Sequence, residues 1–401
     1  MSNPPKVYWA SPNEVFALQN TAKNMVTNNL VKTRLILDKI LDNIKSGDKV
    51  AVKVHVGEAH NLHYLRPDYV REVVTAIKAK GGNPTLIETT GLGNSIETIG
   101  ICEDYTICVG HRKTAPDHDK IAHLHGYSES VVGAPLKIID GEKGYDGKLV
   151  PINGIQLKDI SVAAGLFEFD KMVVISHFKG HPQAGFGGAL KQLGIGCVSK
   201  RSKHRAHFSD SYVVNVFTCH TSKCTQQCVK ACPVNAIQIR GEHAVIDESL
   251  CAGCNACVRK CPVDKAIQVP NFAEPHPFVE RFIDNAAGVL KFGPDKIRYI
   301  TFAFDVTLLC DCIPNAGVPV IPDLGIFGSA DPVAIDKACV DAETKAPGLP
   351  RMTKNGEWTQ PIPAGIEKFQ AMLKIVNPSW QFEAATRDNL GTVNYDLIKI
   401  D

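Results

Sequence analysis

The stretch Cys251-Ala-Gly-Cys-Asn-Ala-Cys-Val-Arg-Lys-Cys-Pro262 has the spacing Cys-x2-Cys-x2-Cys-x3-Cys-Pro. An earlier stretch, Cys219–Pro233, ends in the same Cys-x3-Cys-Pro step but separates its first three cysteines by four and then three residues. A short apolar segment follows each Cys-Pro step, at 234–239 and at 263–269. Proline fixes φ and removes a hydrogen-bond donor, so it ends each cysteine loop. The chain therefore contains an internal duplication that carries eight cysteines.

This spacing is the one that bacterial two-cluster ferredoxins use to bind iron–sulfur clusters, in which the fourth cysteine of each run ligates the other cluster. A zinc site or a disulfide framework is the alternative, but zinc needs only four ligands and has no use for the Cys-Pro duplication. The wider first run leaves open whether its cluster is complete or depleted. We predict two [4Fe–4S] clusters, one held by Cys219, Cys224, Cys228 and Cys261 and the other by Cys251, Cys254, Cys257 and Cys232.

Composition and charge argue against several classes of protein. A net charge of only +2 disfavours a nucleic-acid-binding or anionic-membrane surface. The sequence opens without an apolar leader and has no run of about 18 apolar residues, so we expect no secretion, no membrane span and a cytoplasmic location. In that compartment 14 cysteines indicate metal ligation rather than disulfides. The scattered cysteines are expected as small buried side chains: Cys102, Cys108, Cys197 and Cys339.

The order of the remaining elements predicts an α/β fold. A strand at 49–56, a helix at 67–80 and a strand at 85–88 form a β-α-β unit, which implies a mostly parallel sheet with helices on both faces. An apolar run at 172–176 fits a buried parallel strand. We expect residues 1–212 to form the first part of the α/β domain, 213–271 an inserted two-cluster ferredoxin-type (α+β) domain, here called the cysteine module, and 272–401 the second part.

Further elements follow from periodicity and capping. Poorly patterned sequence at 89–161 predicts long functional loops around a helix at 117–124. Residues 323–336 predict a loop followed by a helix with Pro332 at its first position and Asp331 or Ser329 as its cap. The other predicted elements are one or two helices at 14–45, helices at 278–290 and 366–375, and a strand at 297–304.

Histidines, lysines and glycines cluster directly after the strand at 172–176. Open α/β sheets bind ligands at the carboxyl ends of their strands, and glycine-rich loops let N–H groups approach an anion. We expect this segment to bind a small-molecule substrate or a cofactor that carries a carboxylate or a phosphate, such as a flavin. The alternative is that the segment is a tight turn whose histidines have a structural role. The predicted catalytic residues are His177, Lys179, His181 and Lys191, and the predicted cofactor-binding residues are Gly185, Gly187 and Gly188.

Three further groups are candidates for the same site or for a partner. Cys310-Asp-Cys312 places two thiols on one face of an extended segment, where they would bind a further soft metal ion, approach a cluster or remain buried thiols. The basic segment 200–207 is expected to be solvated, and an acidic partner docking there is a secondary idea. A third group of side chains lies at or after the end of the strand at 49–56. These side chains would either join the site or have a structural role: His55, Glu58, His60 and His63.

Several motifs together resemble the domain of unknown function 362 family, in particular its members with an inserted two-cluster ferredoxin. They are Val54–Glu58, Ser176–His181, Gly185–Cys197, Cys310–Cys312 and Asp331–Asp336. The resemblance covers nearly the whole chain but assigns no reaction. The first cysteine run departs from it, because such members usually have the compact spacing. A shorter likeness links Gly185–Lys191 to nickel-dependent lactate racemases.

The sequence therefore predicts an iron–sulfur oxidoreductase or electron-transfer component that works with a redox protein partner. Its two clusters would relay single electrons to or from a site at the strand ends. One alternative is a non-redox metal-dependent enzyme of isomerase or lyase type, in which the clusters are structural. Another is an assembly or binding subunit that delivers electrons within a larger complex.

Overall fold

The centre of the protein is a β-sheet made of short apolar segments of the chain. The computed structural model describes residues 3–12, 28–92, 110–208 and 212–400. The strands are β1 (Lys6–Ala10), β2 (Lys49–Lys53), β3 (Asn83–Glu88), β4 (Leu136–Ile138), β5 (Gly147–Pro151), β6 (Asp159–Ala163), β7 (Lys171–His177), β8 (Lys179–His181), β9 (Gly185–Gly187), β10 (Val213–Val214), β11 (Ile237–Arg240), β12 (His243–Ile246), β13 (Ile267–Gln268), β14 (Ile297–Ala303), β15 (Gly325–Ser329) and β16 (Asp396–Lys399). The helices are α1 (Asn29–Ile40), α2 (Pro67–Ala79), α3 (Ala115–Leu124), α4 (Glu129–Val132), α5 (Ala189–Gly194), α6 (Lys200–His207), α7 (Gln227–Ala231), α8 (Ala256–Lys260), α9 (Pro275–Leu290), α10 (Pro332–Lys345), α11 (Lys368–Leu373) and α12 (Ser379–Arg387).

Eight of the strands form one mixed but mostly parallel sheet in the order β16-β1-β15-β14-β7-β2-β3-β4. Strand β15 runs antiparallel to both of its neighbours, and the other neighbouring strands of the sheet pair in parallel. The predicted α/β class is confirmed. Because β2, β3, β7 and β14 are parallel neighbours, their carboxyl ends lie along one edge of the sheet.

Both faces of the sheet are buried, which explains why its strands are apolar throughout. Along β7, Met172 and Val174 join one apolar cluster, whereas Val173 and Ile175 join another on the opposite face. Helices α1 and α2 contribute to the second cluster, and α5, α9, α10 and α12 contribute to the first. Helices therefore cover both faces, as predicted.

The capping signals of two helices are also confirmed. Helix α2 begins at Pro67, and α10 begins at Pro332 after Asp331, whose carboxylate accepts hydrogen bonds from the amides of Val333 and Ala334 at 2.8 and 2.9 Å. Several elements lie where none was predicted, among them β15 in the segment predicted as a loop, α12 in the C-terminal tail, and β4, β5 and β6 in the region 89–161 predicted as loops. The part of the predicted helical region 14–45 before residue 28 lies outside the described residues, as do Cys102 and Cys108.

The cysteine module packs around an apolar cluster of its own, which includes Tyr212, Ile237 and Ile267. Its two halves each place a short helix, α7 or α8, within a cysteine run. Strand β10 pairs antiparallel with β13, so the beginning and the end of the module lie side by side. None of the helices in the described part of the chain is long and apolar enough to cross a membrane.

Candidate functional site

The second group of predicted cluster ligands surrounds a recess in the cysteine module. Cys232, Cys251, Cys254 and Cys257 line it together with Tyr212. Burial is the main cause that raises the pKa of Cys251 to about 11 and that of Cys257 to about 12, and the neighbouring sulfurs add to it. The structure thus brings Cys232 of the first run together with three cysteines of the second.

The first group comes together in the same way. Burial raises the pKa of Cys228, and Cys261, Cys219 and Cys224 are close enough to raise it further. Backbone N–H groups point at two of the sulfurs, from Ala244 to Cys219 Sγ at 3.4 Å and from Ala236 to Cys232 Sγ at 3.2 Å. Hydrogen bonds to sulfur are one of the features by which proteins set the potential of an iron–sulfur cluster. Two groups of four thiols, partly buried and with N–H donors, fit the iron–sulfur binding that the cysteine pattern indicates.

A second concentration of reactive groups lies at the carboxyl ends of the parallel strands. We call it the strand-end site and define it by Lys53, Glu88, His177, Lys179, His181, Lys191 and Asp311. Asp311 is its buried centre: Lys179 Nζ donates to Oδ2 at 2.9 Å, and His177 Nδ1 lies 3.0 Å from both oxygens. Burial alone would raise the pKa of Asp311, but His177 and Lys179 hold it far below its usual range. His177 Nε2 also lies 2.7 Å from the Phe304 carbonyl oxygen.

Glu88 forms a similar buried centre at the end of β3. Lys53 Nζ donates to its carboxylate at 2.8 Å, and ring nitrogens of His55 and His118 lie 3.4 and 3.5 Å from it. Against the effect of burial, Lys53 and the neighbouring rings of His118 and His55 hold the pKa of Glu88 well below its usual value. Burial, with the nearby Arg112, lowers the pKa of His55 to about 3, so this ring is neutral.

Lys191 is the cation of the site that lacks a direct partner. Its ammonium makes no hydrogen bond with any of the described residues, and its surroundings lower its pKa to about 7, first by burial and second through Lys179. Gly187 lies between the two lysines, since a Cβ placed there would be 3.4 Å from Lys179 Cε and 3.6 Å from Lys191 Cδ. A half-buried lysine with a lowered pKa is suited to act as a base or to contact an anion.

The neighbouring glycines contact protein groups, which revises the prediction that all three line a cofactor. Asp336 accepts hydrogen bonds from the amides of Ala189 and Leu190 at 2.7 and 2.9 Å, and a Cβ on Gly188 would overlap its Oδ1. Gly185 has a φ of +86° and faces Pro378. The amides at the start of α5 are therefore occupied by a carboxylate of the chain itself, and among Gly185, Gly187 and Gly188 only Gly187 borders the lysine pair.

His181, Cys310 and Cys312 meet next to this lysine pair. A ligand atom from each lies within 4.8 Å of the others, an arrangement that would suit a metal ion. In the structure, however, a disulfide joins Cys310 and Cys312. His181 Nδ1 accepts hydrogen bonds from the amides of Gln183 and Ala184 at 3.1 and 2.9 Å, and burial lowers the pKa of this ring well below its usual value. The two predicted thiols are thus joined to each other in this structure.

The basic segment 200–207 is largely buried, so the prediction of a solvated surface that receives an acidic partner is wrong. Lys203 Nζ donates to Thr89 Oγ1 and to the Thr90 carbonyl oxygen, both at 2.7 Å. Arg201 and Arg205 donate to the carboxylate of Asp159. These charged groups point into the protein because their acceptors lie on strands and loops beneath α6.

On its other side, α6 packs against the cysteine module. The His204 ring stacks on Tyr212 with a centroid separation of 5.3 Å. It also fills the space beside Gly253, where any Cβ would overlap ring atoms of His204. Electrostatic interactions reach from this helix to the cysteines, between Lys200 and Cys254 and between Arg201 and Cys251.

Several residues of the strand-end site escaped the sequence analysis. Lys53 and Glu88 each end an apolar strand, and this charged end of a buried strand is the signal that would have found them. Asp311 lies inside the Cys-x-Cys motif that was analysed for its thiols alone. Of the earlier candidates, His55 reaches Glu88 and Glu58 pairs with Arg112, whereas His60 contacts His111 and the structure describes no side-chain partner for His63.

Comparison with known proteins identifies the family. The model of the family "Domain of unknown function (DUF362)" matches residues 50–341. The chain belongs to this family. Short matches also occur in curated proteins: the ABC transporter E family member 1 of Arabidopsis thaliana and the translation initiation factor RLI1 of Saccharomyces cerevisiae are each 41% identical over 66 residues, 15% of this chain. Each match spans only 11% of the length of that relative.

Solved structures resemble the chain more distantly. The lactate racemase apoprotein from Thermoanaerobacterium thermosaccharolyticum has a TM-score of 0.33 and 11% identity, over 75% of this chain and 51% of that one. A protein from Thermotoga maritima has a TM-score of 0.32 and 13% identity, over 68% of this chain and 50% of that one.

Proposed function

We propose that this protein is an iron–sulfur oxidoreductase or electron-transfer component that relays single electrons through two [4Fe–4S] clusters to or from the strand-end site. The observation that carries this proposal is the position of α6. Its residue His204 packs on Gly253 inside the second cysteine run, and its residue Lys203 donates to Thr89 and Thr90 directly after β3. One helix thus contacts both centres, and an external redox protein is the expected partner.

The chain's own residues favour an anionic small molecule at the strand-end site. Lys179 and Lys191 flank Gly187, so two lysine side chains lie next to each other at this site. Asp311 holds Lys179 and His177 in place, whereas Lys191 remains available for a ligand. The clusters, when bound, supply one-electron transfer, and these residues bind and orient the molecule that is oxidised or reduced.

Anaerobic analysis of iron and sulfide, combined with EPR before and after dithionite reduction, tests this proposal. We expect about eight iron and eight sulfide per chain and signals of two coupled reduced clusters. The variant Cys254→Ser should lose the cluster of the recess, whereas Cys339→Ala, at a buried cysteine far from the module in sequence, should keep both. A fully loaded protein whose clusters cannot be reduced would contradict the relay.

The arrangement of His181, Cys310 and Cys312 favours a second candidate, a metal-dependent enzyme of isomerase or lyase type with structural clusters. If the disulfide is reduced, two thiolates and one imidazole become available to a soft metal ion. Stoichiometric nickel or zinc in addition to iron, lost in Cys312→Ser, would favour this candidate over the relay.

A further inference from the structure

The Cys310–Cys312 disulfide lies where electrons delivered to the strand-end site would arrive. Cys310 is 1% exposed, whereas Cys312 remains partly accessible to solvent. Asp311, between them, binds Lys179, and Lys191 interacts with the same carboxylate. A disulfide near two ammonium groups is suited to accept two electrons, because nearby cations stabilise the thiolates that form when it is reduced.

A continuous series of packed side chains links this disulfide to the cysteine module. His204 lies against Gly253 of the second cysteine run, and His207 follows one turn later on α6. The His207 ring contacts Phe278 at a centroid separation of 4.7 Å, and Phe278 stacks on His181 at 6.0 Å. His181 in turn lies within 4.8 Å of both sulfurs. The path therefore runs through α6 and α9, and its side chains are buried except for His207, which is half-buried.

We propose that the Cys310–Cys312 disulfide accepts the electrons relayed by the cysteine module, and that the resulting dithiol reduces an external disulfide. This inference rests on the relay function proposed above. Two electrons from the reduced clusters and two protons break the Cys310–Cys312 bond and give two thiols. The accessible Cys312 thiolate then attacks the external disulfide, and Cys310 displaces the mixed disulfide, so that the internal disulfide re-forms and two external thiols are released.

Alkylation after anaerobic reduction tests the first step. The protein with its clusters bound is reduced with dithionite, treated with iodoacetamide and digested. Mass spectrometry then measures the mass of the peptide that contains Cys310 and Cys312. We expect two added carbamidomethyl groups in the wild type. In Cys254→Ser the same labelling should be at least about tenfold slower, since the cluster nearest to α6 is lost. Equal rates would overturn the proposal, because dithionite would then reach the disulfide directly.

EPR of the same samples separates the two proposals. If the clusters are reduced but the peptide stays unlabelled, the disulfide is not the acceptor, and the relay function survives without this inference. If no cluster signal appears in the wild type, the relay fails and the inference fails with it. One zinc ion per chain bound to a reduced but unlabelled pair would assign the thiols to a metal site and overturn the redox role.

A second variant tests the path and the exchange step. His204→Leu should keep both cluster signals and slow the labelling of the pair, whereas a merely structural His204 would change neither rate nor signal in correctly folded protein. Reduced wild type, freed of dithionite, should convert oxidised glutathione to two equivalents of the thiol, and Cys312→Ser should not. Wild-type protein that leaves the probe unchanged would overturn the assigned substrate class.

Discussion

The Lys179 ammonium donates a hydrogen bond to the Asp311 carboxylate at 2.9 Å, and both side chains are almost fully buried, with 6% and 0% of their surface exposed. His177 contacts the same carboxylate from the other side. A single buried anion thus contacts two groups of the candidate site and neutralises Lys179, which makes Asp311 the residue on which the local charge balance depends.

Replacing Asp311 with asparagine should destabilise the protein by about 3–5 kcal/mol, because it leaves Lys179 buried without a counter-ion. The midpoint of urea unfolding measures this effect. The matched control is Asp68→Asn, which breaks the exposed ion pair with Arg71 and should cost less than about 1 kcal/mol. A loss equally small in Asp311→Asn would show that the buried groups find other partners.

Lys191→Met should stabilise the protein in a pH-dependent way. The pKa of Lys191 falls from 10.5 to about 7 in the fold, so between these values the unfolded chain binds more protons and wild-type stability rises with pH. The penalty for the charged lysine is fully present below about pH 7. The variant should therefore gain about 1–3 kcal/mol at low pH and lose this advantage as the pH rises towards 10.5. Urea unfolding at several pH values measures it; a gain independent of pH would assign the effect to packing.

The crossed arrangement of ligands predicts which cysteine variants behave alike. Cys261→Ser should impair the same cluster as Cys228→Ser, although the two residues belong to different runs, because Cys261 lies beside Cys219, Cys224 and Cys228. Cys232→Ser should instead resemble Cys251→Ser. EPR spectra of the four reduced variants distinguish the pairs. Spectra that group by run rather than by this pairing would contradict the arrangement.

Gly188→Ala should destabilise the protein by about 1–3 kcal/mol, because its new Cβ overlaps the Asp336 carboxylate that holds the amides of Ala189 and Leu190. Gly187→Ala is the matched control for stability, since its Cβ meets the nearest atom, Lys179 Cε, at the ordinary distance of 3.4 Å. Thermal unfolding of both variants measures the difference. Similar melting temperatures would show that Asp336 moves without cost.

Sequence patterns predicted the elements whose signals are local. The apolar run in β7, the Pro67 start of α2 and the Asp331 cap of α10 each depend on residues within a few positions of one another. Strand β15 was missed because Gly325-Ile-Phe-Gly-Ser329 is short and glycine-rich, and its strand conformation depends on pairing with β1 and β14. Such pairing joins β15 to residues hundreds of positions away in β1 and tens of positions away in β14, so it leaves no local pattern.

The candidate site, too, was predicted only in part from the sequence. Its location after β7 follows from the general position of ligands in parallel sheets, and His177, Lys179, His181 and Lys191 were found in this way. Helix α6 was misjudged because its charges are typical of an exposed surface. Only the folded structure reveals that Thr89, Thr90 and Asp159 accept their hydrogen bonds. A buried charge cannot be distinguished from an exposed one until its partner is known.

The pairing of β10 with β13 has a consequence for the path of the chain. Adjacent strands lie about 4.8 Å apart, so the residues that flank the cysteine module are almost in contact. The chain therefore leaves the module beside the point at which it enters. The module can be regarded as a closed excursion from the α/β sheet, because its two ends meet in one short antiparallel pair.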